Sequence, residues 1–205
     1  MSADRGRSPI EFWFSFGSPY AYFGALQIEA LAARHGREVL WRPFVLGPAF
    51  KQTGMGPLTR QPMRGEYALR DWARLARLHQ VPFVLPANFP VEPLPAGRMF
   101  YAVDSEDPAA AKRLAVSLVR AFFGQGLDIA DAETAAGVGE AQGLDRSRLA
   151  AAAGDQRWKD ALRARTDEAL SKGVFGAPFV LVDGEPFWGA DRLAMVEQWL
   201  ARGGW

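Results

Sequence analysis

The feature that most constrains this chain is a run of aromatic residues that stops at a Gly-Ser-Pro. Ile10-Glu11-Phe12-Trp13-Phe14-Ser15-Phe16, bounded by Gly17, predicts a strand buried on at least one face. Ser18 and Pro19 then read as the N-cap and first position of a helix. Tyr22, Phe23, Leu26 and Ala30 follow at helical spacing, and Gly36 supplies the stop. Glu38 to Phe44 is the next strand. A strand, a helix and a strand in so short a span predict a right-handed βαβ unit with parallel strands.

From Pro43 to Pro62 the chain is crowded with Gly and Pro and has no clean period, which predicts a functional loop. Helical patterns follow near Gly65 to Gln80, after the cap Asp107-Pro108, around Asp131 to Gln142 and Arg146 to Ala153, and from Asp155 to Lys172. Between the first two, Val81 to Pro95 holds five prolines and can be neither helix nor central strand. Pro178 to Val182 and Glu185 to Trp188 are strands joined by the two-residue turn Asp183-Gly184, and Asp191 is expected to cap a last helix. This order predicts an α/β chain: a thioredoxin-like fold with a large helical insertion. The thioredoxin-like domain is discontinuous, over 9–46 and 173–205, and the helical insertion covers 47–172.

Composition then removes whole classes of chemistry. The 205 residues include no cysteine, so disulfides, thiolate metal sites and a cysteine nucleophile are absent. There are two histidines, His35 and His79, and both read as last-turn helix residues with structural or surface roles. A Ser-His-Asp triad or a histidine-rich metal site is therefore not expected, and no metal is assigned. With 24 basic against 23 acidic residues and a net charge of +1, neither nucleic acid nor a membrane surface is an expected partner. No apolar run approaches the roughly 18 residues of a membrane span. Met1 to Arg7 lead into the first strand without a small-residue cleavage site, so a cytoplasmic location is the default expectation.

The remaining chemistry has to come with a cofactor or a substrate. Locally Ser18 is an ordinary N-cap. In a thioredoxin-type fold, however, the turn after the first strand of the βαβ unit is where a redox Cys-x-x-Cys sits, and here it holds no cysteine. A hydroxyl at the positive end of a helix can stabilise a bound thiolate, so the protein is expected to borrow a thiol, most simply glutathione. Gly173 to Pro178 reads locally as a helix stop and a strand start. In the same fold Pro178 is the cis proline facing the active turn, and the backbone of Ala177 is free to pair with an extended peptide-like ligand. Asp191 can pair with the ammonium of such a ligand, and Gly189 lets its backbone approach. Lys51, isolated among Gly, Pro and aromatic residues, is either a solvated loop lysine or a substrate cation.

Several segments taken together resemble the 2-hydroxychromene-2-carboxylate isomerase family, which has a DsbA-like thioredoxin fold and is related to the kappa-class glutathione transferases. They are Phe14 to Tyr22, Leu46 to Lys51, Pro86-Ala87-Asn88-Phe89-Pro90, Gly173 to Pro178, and Trp188-Gly189-Ala190-Asp191-Arg192-Leu193. The resemblance implies that Ser18 is the catalytic serine that holds the glutathione sulfur as a thiolate. It implies that Ala177 contacts the glutathione backbone, that Trp188, Gly189, Ala190 and Asp191 hold the γ-glutamyl end, that Lys51 pairs with the carboxylate of an aromatic acid, and that Asn88 and Phe89 form the substrate wall.

The implied reaction is reversible thiolate addition, rotation and elimination, giving trans-o-hydroxybenzylidenepyruvate and returning glutathione. A kappa-like transferase or a non-catalytic glutathione-binding protein are the alternative readings. The related families are often dimers, so the resemblance leaves a homodimer open, while the residues themselves do not set the oligomeric state. Ala190 in place of the usual Asn, Met55 in place of a polar residue and Phe89 in place of Tyr thin the polar contacts.

Overall fold

The computed structural model describes residues 8–205; the segment Met1 to Arg7, read above for a processing signal, lies outside them. Strands β1 (Ile10–Phe14) and β2 (Val39–Pro43) are parallel, in register from Ile10 opposite Val39 to Phe14 opposite Pro43. β3 (Phe179–Val182) runs antiparallel to β1, and β4 (Glu185–Trp188) antiparallel to β3. The sheet order is β2-β1-β3-β4, so β1 is central and the chain's last strands close the sheet beside its first. This is the thioredoxin-like arrangement expected from the element order. Asp183 and Gly184 both have positive φ, 54° and 92°, as a tight hairpin turn requires.

β1 is buried on both faces. Ile10, Phe12 and Phe14 join the main core, while Trp13 points the other way into a smaller cluster with Phe44, Ala49, Val174 and Phe179. In the main core the Phe14 ring meets Phe12, Phe16, Trp41 and Phe100 at centroid distances of 5.1–6.3 Å. The sheet is thus tied by its aromatics to the helices that intervene in sequence.

The first helical run is broken where periodicity predicts one helix. α1 (Pro19–Ala25) ends and α2 (Ile28–Arg34) begins anew. The Gln27 backbone N–H donates to Gly24, and its side-chain amide donates to the Phe23 carbonyl at 2.8 Å. The side chain takes the acceptor that a continuing helix would use. His35 caps α2 and His79 ends α4 (Arg64–His79), as expected.

The predicted loop after Pro43 is mostly helical. α3 (Leu46–Thr53) occupies it, followed by a 3₁₀ turn at Leu58–Arg60. Pro48 stands in the first turn of α3, where a missing N–H costs no helix bond. A further helix, α5 (Leu94–Asp104), carries no sequence prediction. It is buried on nearly all sides through Ala96, Gly97, Met99, Phe100, Tyr101 and Ala102, so no polar stripe gives it a period.

α6 (Pro108–Gln125), α7 (Ala132–Glu140), α8 (Arg146–Gly154) and α9 (Gln156–Ser171) follow the predicted spans. Asp107, Asp131, Asp145 and Asp155 cap them. At the chain's end the expectation for Asp191 is corrected. It lies within a 3₁₀ turn, Ala190–Arg192, and α10 (Leu193–Arg202) starts after Arg192 without a side-chain cap. The 3₁₀ turn moves the helix start past the aspartate. Among the described residues no helix is long and apolar enough to cross a membrane.

Candidate active site

The turn between β1 and α1 is pinned from both sides. The Ser18 N–H donates to the Ser15 carbonyl at 3.1 Å, and the Ser18 Oγ accepts from the Ala21 N–H at 3.2 Å. The same hydroxyl donates to the Ala177 carbonyl at 3.0 Å, and the Ala177–Pro178 bond is cis. Ser18 is nearly buried, with 7% of its surface exposed. N-cap, hydroxyl and cis-proline loop therefore meet at one point.

That point opens into a cleft of about 680 Å³. Of the residues singled out from sequence, Ser18, Phe89, Ala177, Trp188, Gly189 and Asp191 line it. Trp188, at the end of β4, stacks edge-on against Phe175 at 4.8 Å. A Cβ on Gly176 would stand 2.4 Å from the Trp188 Nε1, so only glycine lets the indole lie there. Gly189 has φ of +112° and donates its N–H to the Pro178 carbonyl at 3.0 Å. Asp191 is largely exposed and pairs with Arg192 at 3.1 Å.

The other candidates lie outside the lining. Ala190 is partly buried against the core. Asn88 is exposed in the turn before the Phe89–Pro90 cis bond. Lys51 is exposed on α3, next to the lining residue Phe50. The cations that do line the cleft are Arg60, Arg64 and Arg192.

Sequence reasoning also missed polar residues of the cleft, among them Tyr20, Asp71 and Glu92. Tyr20, on α1, donates its hydroxyl to Asp71 Oδ2 on α4 at 2.9 Å. Burial and that bond push the Tyr20 phenol well above its ordinary range, so it keeps its proton.

Glu92 is the third. The Ser15 hydroxyl donates to both of its carboxylate oxygens, at 2.9 and 3.1 Å, and the Leu46 N–H donates to one of them at 3.3 Å. Burial pushes its carboxyl up to about 7, against the opposing hydrogen bonds from Ser15, Leu46 and Gly17. A signal existed in the sequence, because Glu92 is the one charged residue between His79 and Arg98. Neither histidine lines the cleft, and the described residues hold no cluster of metal-binding side chains.

The family of DSBA-like thioredoxin domains matches residues 9–201. A 2-hydroxychromene-2-carboxylate isomerase of Sphingobium xenophagum is 30% identical over 193 residues, covering 93% of this chain and 97% of the relative. The chain belongs to the 2-hydroxychromene-2-carboxylate isomerase family, with a DsbA-like thioredoxin fold. A solved structure of a 2-hydroxychromene-2-carboxylate isomerase superposes with a TM-score of 0.86 at 27% identity, covering 95% of both chains. Kinship extends to a glutathione S-transferase kappa 2 of Caenorhabditis elegans, 26% identical over 208 residues and covering 95% of this chain and 92% of that one. The relatives are thus isomerases and glutathione transferases by name.

Proposed function

We propose that this protein is a glutathione-dependent isomerase that interconverts 2-hydroxychromene-2-carboxylate and trans-o-hydroxybenzylidenepyruvate. The observation that carries the reading is the Ser18 hydroxyl, nearly buried and 3.0 Å from the Ala177 carbonyl at a cleft in a chain without cysteine. The residues present fit glutathione. Ala177 offers the backbone beside a cis proline, Trp188 a flat aromatic wall, and Gly189 an approach without a side chain. Asp191 offers an exposed carboxylate for an ammonium, with Ala190 between the two on the same turn.

The Ser18 hydroxyl has one hydrogen, and it is spent on the Ala177 carbonyl. A ligand N–H that satisfies this carbonyl releases the hydroxyl to donate to a sulfur anion, while the Ala21 N–H still holds its oxygen. A free thiol with a pKa of about 8.5 is only a few per cent thiolate at neutral pH, so such a bond raises the reactive fraction. When bound, glutathione supplies the thiolate that adds reversibly to the opened chromene side chain and so permits rotation about its double bond. Phe89 packs the aromatic side of the cleft, with Asn88 at the turn beside it. Arg60 and Arg64, joined by Lys51 on α3, provide the cations for the substrate carboxylate.

A kappa-like transferase using the same thiolate is the second reading, favoured by the kappa relative. The two separate by glutathione accounting. Incubation with 2-hydroxychromene-2-carboxylate is expected to yield the open-chain product with the glutathione concentration unchanged. Stoichiometric loss of glutathione into a stable adduct would instead make the protein a transferase.

A further inference from the structure

Glu92 lines the cleft beside the turn that carries Ser18, and the reading above gives its carboxyl no task. Its position is built. Ser15, whose carbonyl fixes the Ser18 N–H, is also the residue whose hydroxyl donates to Glu92. The Ser15 oxygen in turn accepts from the Gly17 N–H at 3.0 Å. A Cβ on Gly17 would meet the Val91 carbonyl at 2.7 Å, so glycine is what lets the 91–93 segment lie against this turn. Oε2 accepts from both Ser15 and Leu46, while Oε1 accepts from Ser15. All these partners are neutral.

The substrate's chemistry supplies the task. In 2-hydroxychromene-2-carboxylate the ring carbon C2 bears a hydroxyl and the ring oxygen, so it is a cyclic hemiketal. Its ring double bond is conjugated to a carbonyl only after the ring opens. Opening must therefore precede thiolate addition, and it requires one proton to leave the C2 hydroxyl and one to reach the ring oxygen.

We propose that Glu92, as the neutral carboxylic acid, opens and closes this ring. Its O–H bond breaks and the proton goes to the ring oxygen, whose bond to C2 breaks with the electron pair remaining on that oxygen as a phenol. The C2 hydroxyl O–H breaks, its electron pair forms the C2 carbonyl, and its proton goes to the other Glu92 oxygen. The carboxyl ends with one proton, as it began. A carboxyl held near neutrality by burial carries that proton in the working pH range, where proton transfer is most effective.

The segments that hold Glu92 are the turn after β1, through Ser15 and Gly17, and the start of α3, through Leu46, and desolvation and those hydrogen bonds set its proton affinity. The ionisable groups lining the same cleft are Tyr20, Arg60, Arg64, Tyr67, Asp71, Asp191 and Arg192.

The assignment rests on the isomerase reading for its substrate, but its test needs no glutathione. The ring-opened ketone exchanges its C2 oxygen with water, so incorporation of ¹⁸O from labelled water into the substrate, read by mass spectrometry, reports opening. The wild-type protein is expected to accelerate exchange, with acceleration falling as pH rises above neutrality, and Glu92→Gln to lose it by roughly 100-fold. Ser15→Ala removes a bond that favours the carboxylate, so its falling limb is expected at higher pH, a shift that a merely structural role would not produce. Exchange by Glu92→Gln equal to wild type, no acceleration by wild type, or an unmoved limb in Ser15→Ala would overturn the assignment. Exchange that holds while glutathione-dependent conversion is absent would remove the isomerase reading and leave Glu92 as a ring-opening acid.

Discussion

Ser18 and Ala177 stand 159 residues apart in sequence and are joined by one hydrogen bond, 3.0 Å from the Ser18 Oγ to the Ala177 carbonyl. The bond ties the start of α1 to the loop that leads into β3. It puts the hydroxyl beside a peptide group that an incoming peptide-like ligand can take over.

Because Ser18 also caps α1, Ser18→Ala is expected to weaken the fold as well as the site. Loss of an N-cap costs about 1 kcal/mol, which in a chain of this size lowers Tm by roughly 2–4 °C. Calorimetry checks this. A much larger loss would mean that the Ala177 bond carries stability which the cap alone does not explain.

Gly176→Ala tests the indole wall. The new methyl would stand 2.4 Å from the Trp188 Nε1, and Trp188, at 47% exposed, has room to swing outward. The expected outcome is a protein of nearly native stability whose glutathione affinity drops about tenfold, a loss of about 1.4 kcal/mol. Tryptophan fluorescence and calorimetric titration read the two effects.

Much of this was legible in the sequence, for identifiable reasons. The aromatic strand ending at Gly17-Ser18-Pro19, the Asp107 cap and the Asp183-Gly184 turn are local signals, and each element starts where those residues place it, whereas Asp191 falls in a 3₁₀ turn ahead of the helix it was expected to cap. α5 was not legible because Phe100, Tyr101 and Met99 are buried among other helices and leave no polar face. α3 was masked by Gly47 and Pro48, which punctuate a loop as readily as they open a helix. Glu92 was passed over because its meaning lies in Ser15 and Leu46, which sequence does not place beside it.

The cations around the cleft should rank by position. Both Arg64 and Lys51 are exposed, but Arg64 lines the cleft whereas Lys51, on α3, lies outside the lining. Arg64→Ala is expected to raise KM for a carboxylated substrate more than Lys51→Ala does, with kcat changed less than KM in both. The rise should shrink in high salt, as an exposed ion pair would. Steady-state kinetics at two ionic strengths decide it.

Glu92 also predicts how stability varies with pH. Its folded-state pKa, about 7, lies above the ordinary 4.5, so the folded state holds the proton more tightly than the unfolded one. Stability from this group is fully present below about pH 4.5 and is lost as pH rises through 7, by up to about 3 kcal/mol. Glu92→Gln has no such proton to lose. Denaturant titrations are therefore expected to show the variant gaining on wild type between pH 5 and pH 8, and a constant difference would show that folding does not raise this carboxyl's proton affinity.

The most direct test of the central claim, that Ser18 serves a borrowed thiol in place of a missing cysteine, is absorbance-followed conversion of 2-hydroxychromene-2-carboxylate. It is run with and without glutathione, in the wild type and in Ser18→Ala. The account predicts conversion that requires glutathione and falls by at least about 100-fold in the variant, the scale of one lost transition-state donor. Conversion by wild type that ignores glutathione, or a Ser18→Ala protein as fast as wild type, would contradict it.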